Sequence, residues 1–149
     1  MAIARGAGTE IIRSATFEEV DATVTRLIVG VQHHIYTVLS VICFAKGVQA
    51  DGNWINMFLS GYDSKAGTTD RAIEIFKQEM SVSQSFVWND KFSFNGFEPT
   101  DFTGPLDSVA KQDAIADQGS SVPQQLVAVA EHASDSFEIH VTFIDQNNA

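Results

Sequence analysis

The strongest constraint on this chain is a period of two. In SFEIHVTFID, residues 136–145, the apolar side chains Phe137, Ile139, Val141 and Phe143 alternate with Glu138, His140 and Thr142. That is the pattern of a strand with one buried face. Similar runs recur along the chain: TRLIVGV, HHIYTVLSVICFA, NWINMFLSGY, SFVWNDKFSF and QQLVAVAEH, all rich in β-branched and aromatic residues. RAIEIFKQEMSV is ambiguous, because Ile73, Phe76 and Met80 fit a helical stripe while Ile73 and Ile75 alternate around Glu74. Strands on both sides of it favour a strand here too.

Turn chemistry punctuates these runs. KGVQADGN supplies Gly47, Asp51 and Gly52, so NWINMFLSGY reads as the return strand of a hairpin. Ala133, Ser134 and Asp135 make a tight turn between the last two strands. About eight strands in 149 residues predict a single all-β domain, an antiparallel, jelly-roll-like sandwich. Its one short helix would run from Ser108 to Asp117, capped by Asp107 and stopped by Gly119. Residues 1–14, with Ile3, Ile11 and Ile12 among small residues and glycines, are set apart as an N-terminal arm. Such a start either frays into a strand or packs on a neighbouring subunit. Residues 15–149 form the sandwich domain.

Two stretches raise the question of a site. Alternation in SFVWNDKFSF places Asp90 in one row with Phe86, Trp88, Phe92 and Phe94, and burying an unpaired carboxylate there would cost several kcal/mol. A turn or bulge at Asn89-Asp90 that sends the acid outward resolves the conflict, leaving the aromatics as core. HHIYTVLSVICFA is apolar on both sides, with Ile35, Leu39, Val41 and Cys43 on one face and Tyr36, Val38, Ile42 and Phe44 on the other. If the first set fills the sandwich, the second needs a cover from a loop or another subunit.

Charge narrows the partners. The net charge is −10, distributed as 0, −3 and −7 over residues 1–50, 51–100 and 101–149. An acidic C-terminal third with Lys111 as its only base repels phosphate backbones, which excludes nucleic acid as the expected partner. No apolar run has the length to span a bilayer, and MAIARGAGTEIIRS lacks the apolar core of a signal peptide, so no membrane partner is expected. A single cysteine, Cys43, makes no internal disulfide.

The residues that carry chemistry are sparse. His33 and His34 are adjacent and point to opposite faces of a strand, and no H-x-H pair sets two imidazoles on one face. His132 and His140, with Glu131 and Glu138, leave a metal-dependent sandwich enzyme as the third reading. Nucleophile-elbow, zinc and phosphate-loop motifs are missing, and EPTDFTGPLD, with Glu98, Asp101 and Asp107, lacks the alternation of a calcium loop. The expectation is a protein without cofactor or metal and without catalysis.

The order of these strands, with "IYTVLSVICFA", "FVWNDKFSFNG" and "LVAVAEHASDSFEIHVTFID" as its most recognisable pieces, resembles small β-sandwich virion proteins of tailed bacteriophages. The likeness is strongest to head-decoration, or cement, proteins and spans about residues 10–147. It implies a virion protein assembled in the host cytoplasm. Its partners would be itself, as a homo-oligomer such as a trimer, and a major capsid protein. The expected contact residues are Ile3, Ile11, Ile12, Tyr36, Val38, Ile42 and Phe44. The alternative is a tail or fibre sandwich whose loops near 63–70 and 95–122 bind a host glycan or protein.

Overall fold

The computed structural model describes residues 9–63, 68–97, 105, 107–110 and 122–147. Nine strands account for most of them: β1 (Thr9–Val20), β2 (Thr25–Val29), β3 (His34–Gly47), β4 (Trp54–Asp63), β5 (Thr68–Glu79), β6 (Ser85–Trp88), β7 (Phe92–Asn95), β8 (Gln125–Ala130) and β9 (Ser136–Asn147). One sheet runs β1-β9-β3-β6 with β7 also on β3, and the other runs β2-β8-β4-β5. Every pairing is antiparallel. With β6 and β7 taken as one broken strand, this is the order of a double-sheet jelly roll. The ambiguous stretch RAIEIFKQEMSV is a strand through Glu79, the end of β5, as its neighbours suggested.

One crossing differs from the expected hairpin, and a second shares its form. The chain passes from β3 in one sheet to β4 in the other, and from β8 to β9 likewise. The KGVQADGN and Ala-Ser-Asp turns therefore reverse the chain across the sandwich rather than beside the preceding strand. Only β4 and β5 form a hairpin within a sheet among the described strands. Asp135 holds the two cross-sheet turns together. Its buried carboxylate accepts from the backbone N–H of Gln49 at 2.8 Å and of His132 at 3.0 Å, and from Asn53 Nδ2.

Residues 9–14, expected in the arm, are the first half of β1 and pair with β9 from Thr9↔Asn147 onward. Residues 1–8, including Ile3, lie outside the described residues. So does the expected helix beyond Ala110.

The core lies between the sheets. Phe137, Ile139, Val141 and Phe143 of β9 are buried, as their alternation required, against Ile55 and Met57 of β4 and Leu126 and Ala128 of β8. At one end Gly30 and Gly96 let backbones meet, since a Cβ at Gly30 would collide with the Gly96 carbonyl. The hydrogen bonds Gly30 N–H to Gln124 O and Gln124 N–H to Gly96 O, both 2.8 Å, close that junction.

In β3 the expected faces are corrected by one residue. Val38 pairs with Phe143 and Ser40 with Thr142, so Leu39 is an extra residue in a β-bulge. The bulge shifts the inward set from even to odd positions. Tyr36 and Val38 point inward before it, and Val41, Cys43 and Ala45 after it, all buried. Tyr36 and Val38 are thus core residues, not contact residues, and Ile35 belongs to the outer face. Across from the bulge, Asn89, Asp90 and Lys91 break β6 from β7. Asp90 is exposed there, while Phe86, Trp88, Phe92 and Phe94 pack on the core.

Candidate interaction surface

The outer face of the β1-β9-β3-β6 sheet is set by register. Its first full row reads Ile12, Ile144, Thr37, Ser93, and the next Ser14, Thr142, Ser40. The third reads Thr16, His140, Ile42, Val87. None of these eleven side chains is Asp, Glu, Lys or Arg, in a chain whose net charge is −10. Charge returns at the ends, as Glu10 and as the Lys46–Glu138 pair at 3.8 Å beside Phe44, and at the edge of the middle row, where exposed Asp90 and Lys91 join β6 to β7.

Two aliphatic pairs sit at opposite corners. Ile12 is 72% exposed beside Ile144, and Ile42 and Val87 are 40% and 54% exposed side by side. Between them the hydroxyls bond to neighbours on the same face: Ser14 with Thr142 at 3.2 Å, Thr37 with Ser93 at 3.0 Å, and Thr16 with His140 Nδ1 at 2.7 Å. Covering these groups therefore strands few of them, which lowers the desolvation cost that opposes most polar contacts.

Of the seven expected contact residues, Ile12, Ile42 and Phe44 meet on this face. Ile11 points to the inner side of the same sheet at its open end, in line with Arg13 and Asp145. Tyr36 and Val38 are core, and Ile3 is outside the described residues. The expectation missed Ile144 and Val87, whose strands were recognised but whose neighbours were not. Register supplies that information, and alternation alone does not.

Other clusters are occupied by the fold. Asp145, buried on the inner face of β9, is held by Arg13 Nη1 at 3.1 Å and lies 2.5 Å from His34 Nδ1, joining β1, β9 and β3. Beside it Tyr36 stacks on Phe94, and its hydroxyl accepts from the Val31 N–H at 3.0 Å. Burial, and then the Asp145 charge, push the Tyr36 phenol above its ordinary value. Burial pushes the Cys43 thiol up to about 12, which keeps it a protonated core side chain. His33 sits in a turn with φ 68, His132 in the β8–β9 crossing, and His140 on the outer face. Among the described residues no group of three His, Cys, Asp or Glu side chains gathers as a metal would need.

A cleft of about 370 Å³ opens at the junction end, lined by Leu59, Tyr62, Arg71, Ile73, Asn95 and Gln124 among others. Gln124 Nε2 donates to Asn95 Oδ1 at 2.9 Å there. The cleft adjoins the ends of both loop regions named for the alternative reading. Of that acidic loop Glu98 and Asp101 lie outside the described residues, and Asp107 is exposed.

No family model and no curated protein matches the chain. Among solved structures it is similar to a protein of Bacillus endospore appendages, described as a family of disulfide-linked pili. The identity is 11% over 100% of this chain and 97% of that one, with a TM-score of 0.42. It is also similar to a chain of the T13 IBDV viral particle at 8% identity, over 99% of this chain and 37% of that one, again with a TM-score of 0.42. Likeness at this level carries no functional weight for the chain.

Proposed function

We propose that this chain is a structural protein of a tailed-phage virion, a decoration protein that stabilises the shell by contacts and performs no catalysis. The observation that carries the reading is the outer face of the β1-β9-β3-β6 sheet, whose three central rows hold no charged side chain on a jelly roll of net charge −10. Depletion of charge marks the buried centre of interfaces, and viral capsid domains use this architecture. Such a protein works through free energy of association, repeated by symmetry around a lattice, with itself and a major capsid protein as partners. The buried acids fit this account, since Asp135 and Asp145 are spent on holding turns and strands. Reconstruction of particles carrying the protein tests it. Density for the jelly roll on the capsid shell supports the reading, and its absence from the shell overturns it.

The cleft favours one other reading, a tail or fibre sandwich that binds a host glycan. Arg71, the Asn95–Gln124 amides and Tyr62 offer donors and an aromatic edge suited to a sugar. Glycan binding that is lost in Arg71→Gln, together with a tail location, would establish that role instead.

A further inference from the structure

We propose that the outer face of the β1-β9-β3-β6 sheet packs on the same face of a second copy, about a two-fold axis through its hydroxyl rows. The inference rests on the structural reading above and names the contact by which it would work. Charge selects the partner. Copies that each carry −10 repel wherever acidic surfaces meet, so two of them approach closely only across a neutral face. The outer face of the other sheet carries ionised heads that such a contact would have to desolvate, since Arg26, Glu74 and Lys77 stand on it in register with Val127, Phe58 and Asn56.

Shape agrees with a two-fold contact. The aliphatic pairs Ile12–Ile144 and Ile42–Val87 lie diagonally across the face, with Ser14, Thr142 and Ser40 between them. An axis in the plane of the face, along or across that diagonal, sets aliphatic pairs on aliphatic pairs and hydroxyls on hydroxyls. With strands about 4.8 Å apart and residues about 3.3 Å apart, the diagonal lies roughly 40° from the strand direction. The two sheets then cross at close to a right angle, one of the two common sheet packings. The same spacings make the three-row face roughly 20 Å by 20 Å, about half the ~800 Å² per partner of a standard interface. That size fits a dimer that is weak in dilute solution and reinforced when many copies share a lattice.

The test uses the full chain in solution and does not depend on where the protein sits in a particle. Sedimentation equilibrium of the parent should show a concentration-dependent dimer. Ile12→Lys and Ile42→Lys should each raise its dissociation constant at least about tenfold, with unfolding midpoints unchanged. Val29→Lys, at an exposed site on the second sheet, should leave it as in the parent. Thr142→Cys, close to the proposed axis, should give a covalent dimer under added oxidant, while the parent, whose only cysteine is the buried Cys43, should not. A parent that stays monomeric up to high concentration, or Val29→Lys acting as strongly as the seam variants, overturns the inference. Failure here with the protein still found on the shell would leave the structural reading standing with a different contact.

Discussion

The two outer faces of this sandwich solve the same problem in different ways. On the β2-β8-β4-β5 sheet, Val127 points outward yet is only 3% exposed, flanked by Arg26 and Phe58 across the ladder. Arg26 Nε donates to Gln125 at 2.7 Å, Asn56 Nδ2 donates to Glu74 at 3.0 Å, and Lys77 lies over the Trp54 ring at 4.4 Å. Long polar side chains lay their stems over apolar ones and keep their heads in water. On the β1-β9-β3-β6 sheet the row mates of Ile42 are Thr16, His140 and Val87, none with a long stem, and Ile42 stays 40% exposed. A strand that is apolar on both sides is therefore not by itself a sign of an interface. The lengths of its cross-strand neighbours decide whether the outer side is covered from within.

Substitutions test that contrast at several scales. The largest effect belongs to neither outer face but to the core they share. Phe143, 4% exposed between Tyr36 and the Arg13 guanidinium, should cost about 3–5 kcal/mol as Phe143→Ala in denaturant titrations. A value near zero would mean that the inner face has been misplaced. Next is Asp145→Asn, which weakens the tie between three strands. Because Arg13 is 56% exposed and can return to water, the expected loss is moderate, about 1–2 kcal/mol. On the second sheet, Lys77→Ala should cost about 0.5–1 kcal/mol through lost cover and cation–π contact with Trp54. The smallest effect is expected at Ile42→Thr, within about 0.5 kcal/mol for the isolated fold. If Ile42→Thr destabilised the monomer more than Lys77→Ala did, the distinction between a covered and an open face would fail.

An alkaline titration reaches the core independently. Cys43 and Tyr36 both hold their protons more tightly when folded, with Cys43 raised from 9.0 to about 12. The unfolded chain therefore loses protons first as pH rises above about 9, and stability falls through that window. Thermal melts at pH 8 and pH 10.5 should show the fall, reduced in Cys43→Ala relative to its own pH 8 value. Native Cys43 should also resist thiol reagents that label the unfolded chain at once.

Much of this was legible in the sequence, and the gaps have physical causes. Alternation located the inner face of β9 and the class of fold, and the clash of Asp90 with an aromatic row correctly required a break at Asn89–Lys91. The bulge at Leu39 was not legible, because nothing in VLSVI marks it as glycine or asparagine would. One extra residue then moved Tyr36 and Val38 from the expected outer face to the core. Turn residues announced these reversals of the chain but not their destination, so the crossing from β3 to β4 read as a hairpin and that from β8 to β9 only as a tight turn. The proposed contact face was half legible for the same reason: Ile12, Ile42 and Phe44 were named singly, while their placement on one face with Ile144 and Val87 depends on long-range register.

The central claim is that the open face of the β1-β9-β3-β6 sheet is where this protein meets its neighbours. A reconstruction of the assembled particle at side-chain detail examines it directly. The account predicts protein within contact distance of Ile12, Ile144, Ile42 and Val87, with the hydroxyl rows between them dry or bridged. Solvent over that face in every copy, with contacts made through the second sheet or the cleft instead, would contradict it.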